Sequence, residues 1–355
     1  MSKSPLRIHS LDYLRGLAAH GIMFYHMHLL NFGETDASSP LAVIKIYAVA
    51  IFFILSGLTL YKVYFDSFNT NGIRTFFIKR ILRIVPLLWL ATILTFLFSE
   101  ESYTLKKMAV NMLVLPGILK PEMFVANGAW SIGNELGFYV LFPVILLLTQ
   151  RNVNYLILLL IAFLIPFFYF TYIVLDPAST LGAQWSKYVS PLNQFAFFLV
   201  GMGLGALRKP HPALVKFAPY LAIVVVIALF TYPVQGEPIQ LAAGNNRIVF
   251  SVLTTLLCYL IYIADFSFLP ASVQWGLSTL GEISYSVYLI HPIVFVLTRI
   301  ALGNIAVSQP YLLIGITITA SLIVSYFLYQ YFEKYFMGLA KHFKKPVAKA
   351  AVLVK

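Results

Sequence analysis

Apolar runs of about twenty residues recur along this chain, separated by short stretches rich in Gly, Pro, Asn, Asp and Lys. A run of that length, wound as a helix at ~1.5 Å per residue, crosses the ~30 Å hydrocarbon core of a bilayer. The pattern predicts ten spans, over 11–30, 41–60, 81–98, 128–149, 153–175, 191–207, 215–233, 246–264, 277–299 and 310–332. A membrane β-barrel would show ~10-residue alternating segments instead. The expected fold is therefore all-α, a polytopic membrane helical bundle.

Composition agrees with the pattern. Of 355 residues, 60% are hydrophobic and only 11% charged, and the mean hydropathy is +0.84. Soluble domains carry ~25% charged residues, which excludes a soluble globular protein. The single cysteine, Cys258, excludes an internal disulfide or a cysteine metal site. The first segment lacks a small-residue cleavage site, so it is expected to stay in the protein. No internal repeat is evident. Residues 1–340 read as one transmembrane domain and 341–355 as a basic cytoplasmic tail.

The net charge of +12 changes the picture through its distribution. Lys62, Arg74, Lys79, Arg80 and Arg83 crowd one loop, Arg208, Lys209 and Lys216 another, and Lys334, Lys341, Lys344, Lys345, Lys349 and Lys355 the C-terminal end. Glu34, Asp36, Glu100, Glu101, Glu122, Asp176 and Glu237 fall in the alternate loops. Basic residues gather on the cytoplasmic side of membrane proteins, so both termini are expected there. The same distribution argues against nucleic-acid binding.

The first span, LDYLRGLAAHGIMFYHMHLL, carries Asp12, Arg15, His20, His26 and His28. Ionisable groups at membrane depth cost at least ~2.5 kcal/mol on insertion scales and usually mark function. Arg15 and His26 are eleven residues apart, which at ~100° per residue places them within ~20° of one helix face with a rise of ~16 Å. A topogenic arginine with a packed histidine is the plainer explanation; a fixed cation and a titratable imidazole on one stripe is the chemical one. His20 faces roughly the other side and reads as a packing contact.

Further polar groups lie in other spans. Arg80 and Arg83 are three apart at the entrance of the third, next to Lys79, and suit either lipid headgroups or a phosphate ligand. Pro86 is expected to kink that helix. The loop 100–125 contains an apolar part too short to span, predicted to be interfacial or re-entrant. Glu135 sits a few residues inside the fourth span and must either be protonated or find a partner, with Arg15 or His26 as candidates; Trp130 and Tyr139 are of the interfacial belt type. Ser56–Gly57 and GMGLGAL at 201–207 are small-residue packing surfaces. In the ninth span Ser284, Tyr285, Tyr288 and His291 suit a structural hydrogen-bond network or a substrate site.

Several of these segments resemble one family. LDYLRGLAAHGIMFYH is similar to the Arg-x10-His signature of the acyltransferase 3 family, and IFFILSGLTLY to its FF-x-LSGF segment. IKRILRIVPLLWL, WSIGNELGFYVLFP and ISYSVYLIHP resemble its third, Trp-Ser…Glu and Tyr-Leu-x-His segments, in the family's order along essentially the whole chain. Leu58, where Phe or Tyr often follows LSG, is a mild departure. The resemblance implies transfer of an acyl group, most often acetyl, from cytoplasmic acyl-CoA to a hydroxyl of a surface glycan or glycolipid, in a bacterial cytoplasmic (inner) membrane. It implies Arg15 and His26 as the signature pair and Glu135 as the motif glutamate.

The chemistry expected from these residues is O-acylation, with His26 as general base or as an acyl-histidine. Glu135 would orient or charge-balance His26. Arg15 would contact CoA or polarise the carbonyl. Arg80, Arg83 and Lys79 would hold the acetyl-CoA phosphates, and Tyr285, Ser284, His291 and Trp130 the acceptor; no metal is expected. The competing class is a proton-coupled transporter or flippase of a small solute or lipid-linked sugar, which would suit the same intramembrane ionisable groups. Carriers commonly show paired repeats, which this sequence lacks.

Overall fold

The computed structural model describes residues 8–343 except 100, 102, 115 and 209. Lys3, Arg7, Glu100, Lys209 and the tail from Lys344 onward, with their expected sides of the membrane, lie outside the described residues. The helices in chain order are α1 (His9–Phe32), α2 (Pro40–Tyr64), α3 (Ile73–Phe98), α4 (Leu105–Met112), α5 (Pro116–Leu119), α6 (Ala129–Arg151), α7 (Asn154–Tyr169), α8 (Trp185–Tyr188) and α9 (Pro191–Ala206). They continue as α10 (Pro212–Thr231), α11 (Ile239–Ala242), α12 (Gly244–Ile263), α13 (Ala271–Glu282), α14 (Ser284–Leu302), α15 (Asn304–Ser308), α16 (Pro310–Phe327) and α17 (Lys334–Leu339).

Each predicted span falls on a helix or a helix pair. Among the described residues, eight helices are long and apolar enough to cross a membrane, and the bent pair α8–α9, with an angle of 55°, makes a ninth if counted as one span. The 24-residue α1 is not among them; its histidines, Asp12 and Arg15 lower its apolarity. The predicted ninth span is in fact two helices, broken at Ile283. The third starts eight residues earlier than its pattern suggested, so Arg80 and Arg83 lie inside α3, which runs through Pro86 without a break.

Helix α2 is the hub. Its apolar side chains are buried almost throughout, while α7 exposes Ile157, Leu158, Ile161 and Ile165 as a lipid-facing helix would. The α2–α9 contact follows from small residues: a Cβ on Gly57 would fall on the Phe198 carbonyl oxygen, and one on Gly201 on that of Ile54. The two backbones touch directly, as the Ser-Gly pair and GMGLGAL foretold. In the same way Gly16 of α1 meets the Gly281 backbone of α13, its Cβ position lying 2.7 Å from the Gly281 nitrogen.

The segment after α3 contains only short helices, none able to span. It folds onto its neighbours: Trp89 Nε1 donates to the Met112 carbonyl at 2.6 Å, buried Asn111 accepts from Val125 N–H at 2.9 Å, and Gly117 lies against Gly133 of α6. Trp130 and Tyr139 are not belt residues. They are buried, 7% and 4% exposed, because α6 turns them inward, where the Tyr139 hydroxyl bonds Ser56 and Glu135 and the Trp130 ring packs on Trp185 and Tyr188.

Candidate active site

Most of the polar residues singled out in the sequence line two cavities at opposite ends of α1. The larger, about 390 Å³, is the basic cavity. Arg15, Arg80, Arg83, Glu135, Ser284 and Tyr285 all line it. The smaller, about 200 Å³, is the histidine cavity, lined by His26 and Trp130 with Glu34, Lys45, Trp185 and Tyr188. Among the described residues, Tyr288 is the one shared by both linings. Arg15 and His26 thus do share an inward stripe, but eleven residues of helix, ~16 Å, place them in different cavities.

In the basic cavity α3 supplies two cations. The Arg80 guanidinium lies over the rings of Tyr64, Phe76 and Tyr139 at 5.9, 5.8 and 5.7 Å from their centroids, a cation–π cage. Arg83, one helical turn on, is exposed while still lining the cavity. Lys79 does not line it; one residue from Arg80, it points ~100° away around the helix. From α1, Arg15 Nη1 donates to Asp12 Oδ1 at 3.1 Å.

Glu135 belongs to this cavity. Its Oε1 accepts from Ser56 Oγ at 2.6 Å and from the Tyr139 hydroxyl. The expected contact between Glu135 and His26 gives way to another pairing: His26 Nδ1 lies 2.7 Å from His291 Nε2. The reason is helix register, since α6 presents Glu135 toward the Arg15 end of α1 while α14 passes behind the His26 end. Of the expected acceptor-binding group, Ser284 and Tyr285 face the basic cavity, where Tyr285 also donates to the Ile84 carbonyl at 2.7 Å. Trp130 is in the histidine cavity, and wholly buried His291 backs His26. His20 stays with its own helix, its Nδ1 2.6 Å from the Gly16 carbonyl.

Tyr288 forms the partition. Its hydroxyl lies 2.8 Å from Ser131 Oγ and donates to the Gly128 carbonyl at 3.1 Å. Gly128 holds φ +77°, a left-handed conformation open to glycine, and a Cβ there would meet the Tyr288 hydroxyl at 3.0 Å. The start of α6 is therefore shaped around this phenol.

The family model described as an acyltransferase domain, that of acyltransferase 3, matches residues 8–330. The chain belongs to the acyltransferase 3 family. It is also similar to a protein of Acidianus two-tailed virus named "Putative acetyltransferase ORF330", with 25% identity over 288 residues, 78% of this chain and 80% of that protein. No solved structure shows a significant match. The acyltransferase 3 match takes in both cavities, with the exception of the lining residues Glu333 and Met337.

Some residues of these cavities escaped the sequence reading. Glu333 lies one residue beyond the last predicted span. It is buried, accepts from Ser286 Oγ and lines the basic cavity, carried inward by a π-helical stretch, Leu328–Glu333, at the end of α16. Such stretches recur at functional sites, but no sequence period marks them. Lys45 pairs with Glu34 beside His26. A lysine inside a predicted span was the available signal.

Proposed function

We propose that this acyltransferase moves an acyl group, most simply acetyl, from acyl-CoA in the basic cavity to a hydroxyl of a glycan or glycolipid in the histidine cavity. The observation that carries the reading is the division of the signature pair: Arg15 and His26 line separate cavities that meet only at Tyr288. A thioester donor and a polar acceptor arriving from opposite faces of a bilayer need two chambers and a shared reaction point.

The basic cavity suits the donor. Arg80 and Arg83 match phosphate oxygens with planar forks, and Arg80 is held in place by its aromatic cage. The ~16 Å from Arg15 to His26 favours Arg15 as a contact along the CoA arm over Arg15 as polariser of the reacting carbonyl. The histidine cavity suits a sugar: Trp130, Trp185 and Tyr188 offer flat apolar faces, and Glu34 and Lys45 offer polar groups.

His26 takes the acceptor hydroxyl's proton as the oxygen attacks the thioester carbon. The carbon–sulfur bond breaks, and the departing thiolate recovers the proton from the imidazolium. General base catalysis of this kind is worth ~10²–10⁴-fold. The basic cavity faces the cytoplasm, where acyl-CoA is found, which also gives both termini that side.

The test uses purified protein in nanodiscs with acetyl-labelled acetyl-CoA, with and without cell-envelope glycolipid. Label should reach a glycan or lipid, and the His26→Ala protein, equally well folded, should not transfer it. Label that stays on CoA, or transfer that survives in His26→Ala, would overturn the assignment.

A further inference from the structure

Half-buried His26 and wholly buried His291 form a hydrogen-bond chain with a direction. His291 Nδ1 lies 2.7 Å from the Val287 carbonyl oxygen, one turn back along α14. A carbonyl oxygen only accepts, so His291 Nδ1 carries the hydrogen. On its other side, His291 Nε2 lies 2.7 Å from His26 Nδ1, the two rings inclined by only 19°. His291 has no exposed surface. A second proton on it would strand a cation without a carboxylate partner, at a large desolvation cost. With one hydrogen, at Nδ1, its Nε2 presents a lone pair. The hydrogen between the two rings therefore belongs to His26 Nδ1.

We propose that His291 is a positioning residue that fixes His26 in the Nδ1–H tautomer and thereby makes Nε2 of His26 the proton-accepting atom. The inference rests on the reading of His26 as the general base. His26 lines the histidine cavity, and with Nδ1 committed to His291, Nε2 is the nitrogen left to meet a hydroxyl. Orientation of a catalytic imidazole through its second nitrogen is a known device, usually supplied by a carboxylate. Here the orienting group is a neutral imidazole. A carboxylate would neutralise the imidazolium formed during turnover; a neutral acceptor leaves its charge in place. That makes Nε2–H a better acid for returning the proton to the departing thiolate.

The experiment reads the tautomer directly. Protein labelled with 15N-histidine in nanodiscs is studied by NMR at neutral pH, with His26 assigned by comparison with His26→Gln. His26 should appear as the Nδ1–H form, the minor form of a free imidazole side chain. In His291→Leu it should revert to Nε2–H, with kcat reduced about 10²–10⁴-fold and the KM for acetyl-CoA unchanged. His291→Gln, whose amide oxygen can stand near the lost Nε2, should keep the Nδ1–H form and recover at least tenfold of the lost kcat.

An Nε2–H His26 in the wild-type protein, a doubly protonated His291, or full turnover in His291→Leu would overturn the proposal. If His291→Leu does not fold, the wild-type tautomer alone decides. The two readings fail separately. Turnover surviving in His26→Ala removes the general base but not the tautomer assignment. An Nε2–H wild type with inactive His26→Ala removes only the tautomer assignment.

Discussion

The Arg80 guanidinium sits 5.7 Å from the centre of the Tyr139 ring, and that phenol donates its hydrogen to Glu135. Charge on α3 and charge on α6 are thus coupled through one aromatic side chain. The lining of the basic cavity is a connected unit in which a cation, a phenol and a carboxylate hold each other's orientation.

Arg80→Lys tests that unit. Lysine keeps the charge but loses the planar fork and the stacking surface. Loss of a charge-assisted contact of ~1.5–3 kcal/mol corresponds to roughly a 10- to 100-fold rise in the acyl-CoA KM, with kcat changed less. Steady-state kinetics with varied acetyl-CoA measures it. An unchanged KM would detach Arg80 from donor binding.

Gly128→Ala probes the partition. The left-handed backbone disfavours alanine by about 1 kcal/mol, and the new methyl would press on the Tyr288 hydroxyl. We expect an intact fold and turnover reduced about tenfold, while Tyr288→Phe, which keeps the ring and loses both hydrogen bonds, separates shape from bonding. Wild-type rates in both variants would show that the partition takes no part in turnover.

Gly201→Val should destabilise the bundle by at least ~1–3 kcal/mol, since its Cβ falls on the Ile54 carbonyl and α2 cannot move aside. Gly203→Ala, two residues away with nothing near its Cβ, is the control and should be neutral or slightly stabilising. Apparent melting temperatures in one detergent compare them. Equal values would mean that the α2–α9 contact is looser than described.

Outside the spans, Asp36 ties the loop after α1 to the loop after α10. It accepts from Ser38 N–H at 2.8 Å and Gly236 N–H at 2.9 Å, and these bonds hold its carboxyl below the ordinary 3.8. A lowered value means that the contact stabilises the folded form at pH above 3.8 and is lost as pH falls through the folded value. The protection factor of the Gly236 amide, its exchange rate set against the intrinsic rate at the same pH, should therefore fall at acid pH in the native protein. In Asp36→Asn that added pH dependence should vanish.

The helices and their order were legible because spans announce themselves by length and apolarity. So was the shared stripe of Arg15 and His26, which depends only on helix geometry. Neighbours were not legible. His26 and His291 are 265 residues apart, and no local period records which helix passes behind which. For want of that information Arg15 and His26 stood alike as partners for Glu135, which lines the Arg15 cavity. Trp130 and Tyr139 looked like belt residues because composition cannot tell an aromatic side chain facing headgroups from one facing a cavity. Glu333 was hidden by the π-helical stretch, which rotates a residue at the apparent end of a span into the interior.

Among the described residues Tyr288 is the one side chain common to both cavities, and the proposed function gives it a bearing on the cell's energy supply. A bilayer holds its ion gradients because ~30 Å of hydrocarbon separates two aqueous phases. With the two cavities open to opposite phases, as proposed, what parts them is a phenol hydrogen-bonded at its tip to the first turn of α6. An enzyme that hands a group through the membrane must do so without short-circuiting it. In the proposed function, the ring that brings the two substrates together is therefore also the seal between the two phases.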